Sequence, residues 1–209
     1  AELVPHGSVV GVETDPELLA SARQSAAAKK LERVSFARSW ADGMPLTTAS
    51  ADFGYARFLL QHVSQPVEVV REMGRVVRPG GTVMVVDTDD RGILVHPEPP
   101  GLTQLLDASR DGQAAQGGDR LIGRKLARHM TEAGLENVTV QVVPFTSHLV
   151  GPEAWMQICL GFKTRVVGDA TMSPTRVRVT LHNVPAARQT PGPFSHSMVS
   201  AATGTVPTP

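Results

Sequence analysis

A nearly continuous apolar run ending in an acid, Ser8-Val9-Val10-Gly11-Val12-Glu13, leads at once into the helix opening Asp15-Pro16-Glu17. No other feature constrains the fold as strongly. A strand with no polar alternation is buried on both faces, which is the habit of parallel sheets. Asp15 supplies the helix cap, Pro16 suits the first helical position, and Glu17 favours the positive end of the helix dipole. Leu18, Leu19, Ala22 and Ala26 are the predicted buried stripe of that helix. The rhythm then repeats. Residues 33–37 alternate like a short strand, Asp42-Gly43-Met44-Pro45 reads as a loop, and 52–60 is the next strand candidate. Ser64 and Pro66 open a second helix with Val69, Val70, Met73, Val76 and Val77 inward. Arg78-Pro79-Gly80-Gly81 stops it, because Pro79 cannot continue a helix and the glycines accept positive φ. Residues 82–87 form another buried strand, and this alternation predicts an α/β fold with a doubly wound, mainly parallel sheet.

Beyond residue 90 the pattern changes. Residues 102–116 and 121–133 read as helices, the second with Ile122, Leu126, Met130 and Ala133 inward and Gly134 as its stop. A strand is predicted at 136–145, a helix at 153–160 and a last strand at 195–202. Residues 176–181 alternate like a strand, with a helix as the open alternative for that interval, and 205–209 read as a fraying end. At 209 residues the chain is expected to be one domain. Lys plus Arg and Asp plus Glu number 20 each, and the longest basic run is Lys29-Lys30. A general binder of nucleic acid or of anionic membranes needs a concentrated positive field, so neither partner is expected. One cysteine, Cys159, allows no internal disulfide, and no signal peptide or long apolar run is visible, so the expected compartment is the cytoplasm.

Four segments, in order, carry a family resemblance: residues 9–19, the stretch 36–46 (Phe-Ala-Arg-Ser-Trp-Ala-Asp-Gly-Met-Pro-Leu), residues 52–63 ending Leu60-Gln61-His62-Val63, and 71–81 ending Arg78-Pro79-Gly80-Gly81. Together they resemble the class I S-adenosylmethionine-dependent methyltransferases, of the group acting on small molecules. The resemblance implies a Rossmann-like sheet with an antiparallel strand pair near the C-terminus, residues 136–145 and 195–202. It divides the single domain into a cofactor-binding part, 1–90, and a part for the substrate pocket and C-terminal sheet, 91–209.

It also assigns residues. Glu13 ends its strand where a carboxylate can accept from both ribose hydroxyls of the cofactor, with Thr14 beside it. Trp40 stands where the family commonly has an acid for the adenine amino group. Its indole either stacks on adenine, faces the sulfonium, or packs into the core or a lid. Ala41 follows against the base, and Asp42 is an alternative acceptor. Arg57 falls at the methionine end of the cofactor, with a surface salt bridge as its bland alternative. His62 suits proton removal by its ordinary pKa near ~6.5, yet its family position is usually structural, so the catalytic residues stay unassigned. Asp87, Asp89 and Asp90 read as a solvated strand end rather than a metal site, and His129 and His148 as ordinary residues. The pocket walls are expected in 92–116 and around Trp155 and Met156.

The family's first strand and glycine-rich loop are not found, since only six residues precede Gly7. The expectation is therefore an N-terminally truncated methyltransferase with a damaged cofactor site and unpaired inner sheet edges. Two rivals remain. A NAD(P)-dependent Rossmann oxidoreductase would use Glu13 for its own ribose, although Tyr55 lacks the lysine four residues on that short-chain dehydrogenases need. A non-catalytic binding module that kept the fold is the other.

Overall fold

The computed structural model describes residues 6–161, 163, 167, 172–187 and 194–209, with side chains omitted for 181–187. The first unit is β1 (Val9–Glu13), α1 (Pro16–Ala28) and β2 (Val34–Arg38), the two strands pairing parallel. Asp15 Oδ1 accepts from Glu17 N at 2.7 Å and Leu18 N at 3.1 Å, as its capping position predicts. Leu19 and Ala26 are buried, but Leu18 is 59% exposed, contrary to the expected stripe. A two-stranded sheet is narrow, and it covers only the Leu19, Ala22 and Ala26 side of the helix.

The second unit begins with β3 (Ala51–Arg57), α2 (Pro66–Val76) and β4 (Val77–Thr88), with β3 and β4 again parallel. β7 (Phe194–Thr205) lies antiparallel against β4 and is itself paired by β5 (Leu94–His96) and β6 (Glu136–Thr146). The sheet is therefore mixed, parallel at one side and antiparallel around β7, and the expected C-terminal strand pair is present. Among the described residues no strand joins β1 to β3, so hydrogen bonding divides the strands into two sheets.

α2 and α4 (Leu126–Glu132) pack on one face of the larger sheet, where Leu60, Val70, Val83, Val85, Leu126 and Met130 lose essentially all contact with solvent. On the opposite face Phe53 and Tyr55 stay exposed, their rings stacked with centroids 6.5 Å apart. A satellite core gathers Val95, Leu102 and Leu106 around Trp155 and Leu160, joining α3 (Leu102–Ala115) to α6 (Pro152–Leu160) beside the short α5 (Ser147–Val150). No helix among the described residues is long and apolar enough to cross a membrane.

Several sequence expectations need correction. β3 ends at Arg57 rather than at residue 60, because Phe58 takes a left-handed φ of 54° and the chain turns into a 3-10 turn at Leu60–His62. The helix expected at 121–133 is split into a 3-10 turn, Ile122–Lys125, followed by α4. Residues 176–181 lie in a helix, α7 (Pro174–Ala187), not a strand. Its start explains why: Pro174 takes the first position, Val177 N donates to Ser173 O at 3.0 Å, and Val177 packs on the Leu105, Ala108 and Met172 cluster. Tertiary packing overrides the β-branched alternation. The terminal segment does not fray at its start: Val206 exchanges two backbone hydrogen bonds, with Gly80 N and Gly81 O, each 2.9 Å.

Gly123 fixes how closely the 3-10 turn at 122–125 approaches the end of β4. A Cβ there would sit 2.9 Å from both the carbonyl carbon and oxygen of Thr88. Gly123→Ala is expected to destabilise the fold by about 1–3 kcal/mol through overpacking. Urea unfolding checks it, and an unchanged midpoint would contradict the close approach.

Candidate functional site

β3 and β4 run parallel, and the residues just past their carboxyl ends open into a cavity of about 280 Å³. This is near the lower end of the ~300–1,000 Å³ common for small-molecule sites. Phe58, Ile93, Phe145 and Ile158 give it an apolar wall, while Gln61, His62, Asp90, Arg120 and Lys163 line it with polar groups. The turn at Phe58 places Gln61 and His62 there. The loop before the 122–125 turn closes against them: Asp119 N donates to Gln61 O at 2.9 Å, and Arg120 Nη1 donates to Gln61 Oε1 at 2.9 Å. Gly118 permits this approach, since a Cβ on it would fall 2.4 Å from Gln61 O.

The three aspartates at the end of β4, Asp87 within it and Asp89 and Asp90 just past it, are buried, not solvated as the sequence suggested. Each has a partner distant in sequence or a set of backbone donors. Asp90 Oδ2 receives Lys163 Nζ at 2.6 Å, with both side chains almost wholly enclosed. Burial lowers the Lys163 pKa and the Asp90 charge opposes that shift. Asp89 takes both Nε and Nη2 of Arg124, the latter at 2.7 Å. Asp87 accepts from Gln61 N at 3.2 Å and Thr88 N at 2.9 Å, yet desolvation pushes its pKa up to about 6 despite these bonds and the nearby Arg120 charge. Among the described residues no group of three His, Cys, Asp or Glu side chains could hold a metal ion.

His62 sits at the cavity mouth, exposed on one side, with Nδ1 3.4 Å from Gln113 Nε2. Crowding by protein on its other side, and then the Arg120 charge, lower its pKa, so the ring is neutral at pH 7. A neutral imidazole can take a proton. Cys159 also lines the cavity, but burial pushes its thiol up to about 12, which removes it as a nucleophile near neutral pH.

The residues assigned from the sequence stand at strand ends. Glu13 closes β1, and its Oε1 accepts from Thr14 N at 2.7 Å and Asp15 N at 3.0 Å. Oε2 has no hydrogen bond among the described residues, so the carboxylate is fixed by one oxygen and offers the other. Trp40, just after β2, is 73% exposed, which excludes a core role. Ala41 packs partly against the main core, and Asp42 is exposed. Arg57 ends β3 with its guanidinium 5.5 Å from the Phe58 ring centroid. None of Glu13, Thr14, Trp40, Ala41 or Arg57 lines the cavity. Of the expected pocket walls, Ile93 does line it, but Trp155 is buried in the satellite core and its helix contributes Ile158 and Cys159 instead. Arg120 and Lys163 were not anticipated. Neither lies in an α-helix or a strand, and no local spacing distinguishes it from a surface charge.

Asp87 gives the site a pH signature. Its folded pKa of about 6 lies above the ordinary 3.8, so its stabilising contribution is complete below about pH 4 and is lost as pH rises through 6. Relative to Asp87→Asn, the wild type should lose up to about 3 kcal/mol of unfolding free energy between pH 4 and pH 8. Denaturant titrations across that range measure it, and a constant difference would refute the raised pKa.

Comparison with known proteins agrees with this architecture. Residues 1–85 match the family described as a methyltransferase domain. A demethylmenaquinone methyltransferase of Listeria monocytogenes serotype 4a is 30% identical over 107 residues, covering 51% of this chain and 43% of the relative. The chain thus spans about two fifths of the length of the curated relatives it matches. Among solved structures, the [4+2]-cyclase SpnF superposes with a TM-score of 0.60 at 19% identity, over 97% of this chain and 68% of that one. Phosphoethanolamine N-methyltransferase 2 of Haemonchus contortus, in complex with S-adenosyl-L-methionine, gives 0.56 at 17% identity over 96% and 44%. At these identities the two structures speak for the fold, while the matched domain speaks for descent. That domain runs through β1, β2 and β3 and into β4, so the first 85 residues are similar to a methyltransferase domain, and the chain as a whole has the Rossmann-like methyltransferase fold.

Proposed function

We propose that this chain takes part in methyl transfer from S-adenosylmethionine to an oxygen, nitrogen or carbon of a small molecule, in the cytoplasm, as a single domain spanning 1–209. The observation that carries the reading is Glu13, whose carboxylate is anchored to the start of α1 by one oxygen and leaves the other for a ligand. A vicinal ribose diol is the expected partner of such a group at the carboxyl end of a parallel strand. Thr14, Trp40, Ala41 and Arg57 are proposed to complete the cofactor side. Exposed Trp40 offers its indole face for stacking on a base or a sulfonium.

When bound, S-adenosylmethionine supplies a methyl group already activated by the positive sulfur. The protein's own part is then alignment and the exclusion of water. Phe58, Ile93, Phe145 and Ile158 hold the acceptor in an apolar enclosure, and neutral His62 at its mouth is placed to take a proton from an acceptor hydroxyl or amine. The fold alone does not decide the reaction, as the [4+2]-cyclase SpnF among the structural neighbours illustrates. Nothing in the site favours the oxidoreductase.

The test is calorimetric titration of the 209-residue chain with S-adenosylhomocysteine. Binding is expected, weakened about tenfold or more by Glu13→Ala through loss of charge-assisted hydrogen bonds. No binding by the wild type would overturn the reading, and an unaltered affinity in the variant would remove Glu13 from it.

A further inference from the structure

Phe58 lies in a backbone conformation that suits glycine. Its φ is 54°, in the left-handed region where a Cβ crowds the neighbouring carbonyl oxygen. Three other non-glycine residues among the described ones share that region, Lys30, Ala49 and Asn137, and all three are exposed. Phe58 differs from them: it is half-buried, its N donates to Val86 O at 2.8 Å, and it lines the cavity. A glycine would make the same turn and the same hydrogen bond without strain, so the turn does not account for the phenyl ring. Strain of this kind persists where the side chain has a task.

The surroundings of the ring narrow that task. The Arg57 guanidinium stands over it, 5.5 Å from the centroid, and steadies it by a cation–π contact. Ile93, Phe145 and Ile158 make up the rest of the apolar wall. The positive charges beside the cavity are already committed or enclosed. Lys163 Nζ is bound to Asp90 at 2.6 Å, Arg120 Nη1 is taken by Gln61, and Arg120 Nε and Nη2 are sealed within the protein. A guest therefore meets carbon surface and, at the mouth, the neutral ring of His62.

We infer that Phe58 determines the specificity of the cavity, and that its strained placement serves to select an uncharged aromatic guest over a saturated one of the same size. An aromatic pair, stacked or edge-on, gains about two- to tenfold in affinity beyond the area it buries, which a leucine in the same place does not give. The volume of about 280 Å³ limits the guest to a small ring system. That this guest is the methyl acceptor rests on the methyltransferase reading; the selection by Phe58 does not.

The experiment compares 2-naphthol with decahydro-2-naphthol, which share a carbon skeleton and a hydroxyl and differ in aromaticity, by calorimetry on the 209-residue chain with and without saturating S-adenosylhomocysteine. The aromatic alcohol is expected to bind about two- to tenfold more tightly. Phe58→Leu should abolish that preference while leaving the affinity for the saturated alcohol. Urea unfolding supplies the second arm: Phe58→Gly should unfold at a higher urea concentration than Phe58→Ala, the reverse of the order at an unstrained position. The ratio on the unaltered chain and the glycine–alanine order each stand even if Phe58→Leu fails to fold. Equal affinity for the two alcohols, no measurable binding of 2-naphthol, or a preference that survives Phe58→Leu in a folded protein, overturns the inference. So does an alanine variant more stable than the glycine one, which would leave no strain to explain. Tighter binding of 2-naphthoate than of 2-naphthol would likewise overturn it, by showing a charge open to the guest. A Phe58-dependent preference in a chain that ignores S-adenosylhomocysteine would uphold the aromatic site and remove only its role in holding a methyl acceptor.

Discussion

The ion pair between Asp90 and Lys163 is the contact on which the site's architecture turns. Removing two full charges from water costs several kcal/mol each, and the pair persists only because the two charges meet at 2.6 Å inside the protein. The pair also joins distant parts of the chain, the end of β4 and the segment after α6. Arg120 joins a third: its carbonyl accepts from Asp90 N at 3.0 Å and its side chain reaches Gln61. The polar wall of the cavity is thus one connected set of hydrogen bonds. Removal of either charge would strand its partner in a medium that cannot solvate it, so the cavity and the local fold stand or fall together.

What the sequence disclosed follows from which interactions are local. The cap at Asp15 and the existence of β1 and β4 are written in neighbouring residues, whereas the burial of β1 on both faces is not realised, Val10 being 45% exposed, and β4 begins at Val77, so that the expected stop at 78–81 lies inside the strand. The position of Glu13 at the end of β1 was legible for the same reason, since it depends only on where that strand stops. The residues that missed are those whose environment is assembled from afar. Asp87, Asp89 and Asp90 looked solvated because the cations that pair with Asp89 and Asp90 lie 35 and 73 positions further on, and the backbone donors of Asp87 include Gln61 N, 26 positions before it. Leu18 fits a helical stripe perfectly well, yet no surface was there to receive it. The alternation at 176–181 is a real β signal that lost to the start provided by Ser173 and Pro174 and to packing against α3.

The division of the strands into two sheets sets the relation between the proposed cofactor side and the cavity. Glu13 and Trp40 belong to the β1–β2 pair, and the cavity belongs to the sheet that contains β3 and β4. Between them the connection runs through packing more than through a shared ladder: Ala41 and Met44 rest on the main core, and Met44 N donates to Glu72 Oε1 at 2.7 Å. A sheet ladder would transmit position rigidly across its width, and side-chain packing is a softer coupling. The geometry of the proposed cofactor side therefore depends on a few contacts at residues 41–46, including the two carbonyls, of Met44 and Leu46, that Arg75 Nη2 holds.

The placement of the two tryptophans has an optical consequence. Trp155 is sealed in the satellite core with no exposed surface, while Trp40 stands 73% exposed on the loop after β2. The indole of one emits from an apolar environment and the other from water, so the intrinsic fluorescence of the protein is two signals of different colour. A soluble quencher reaches only the red-shifted one, which reports on the loop. The blue-shifted remainder reports on whether α3 and α6 are still packed together. Movement around residue 40 and loosening of the C-terminal half can thus be followed separately in a single unlabelled sample.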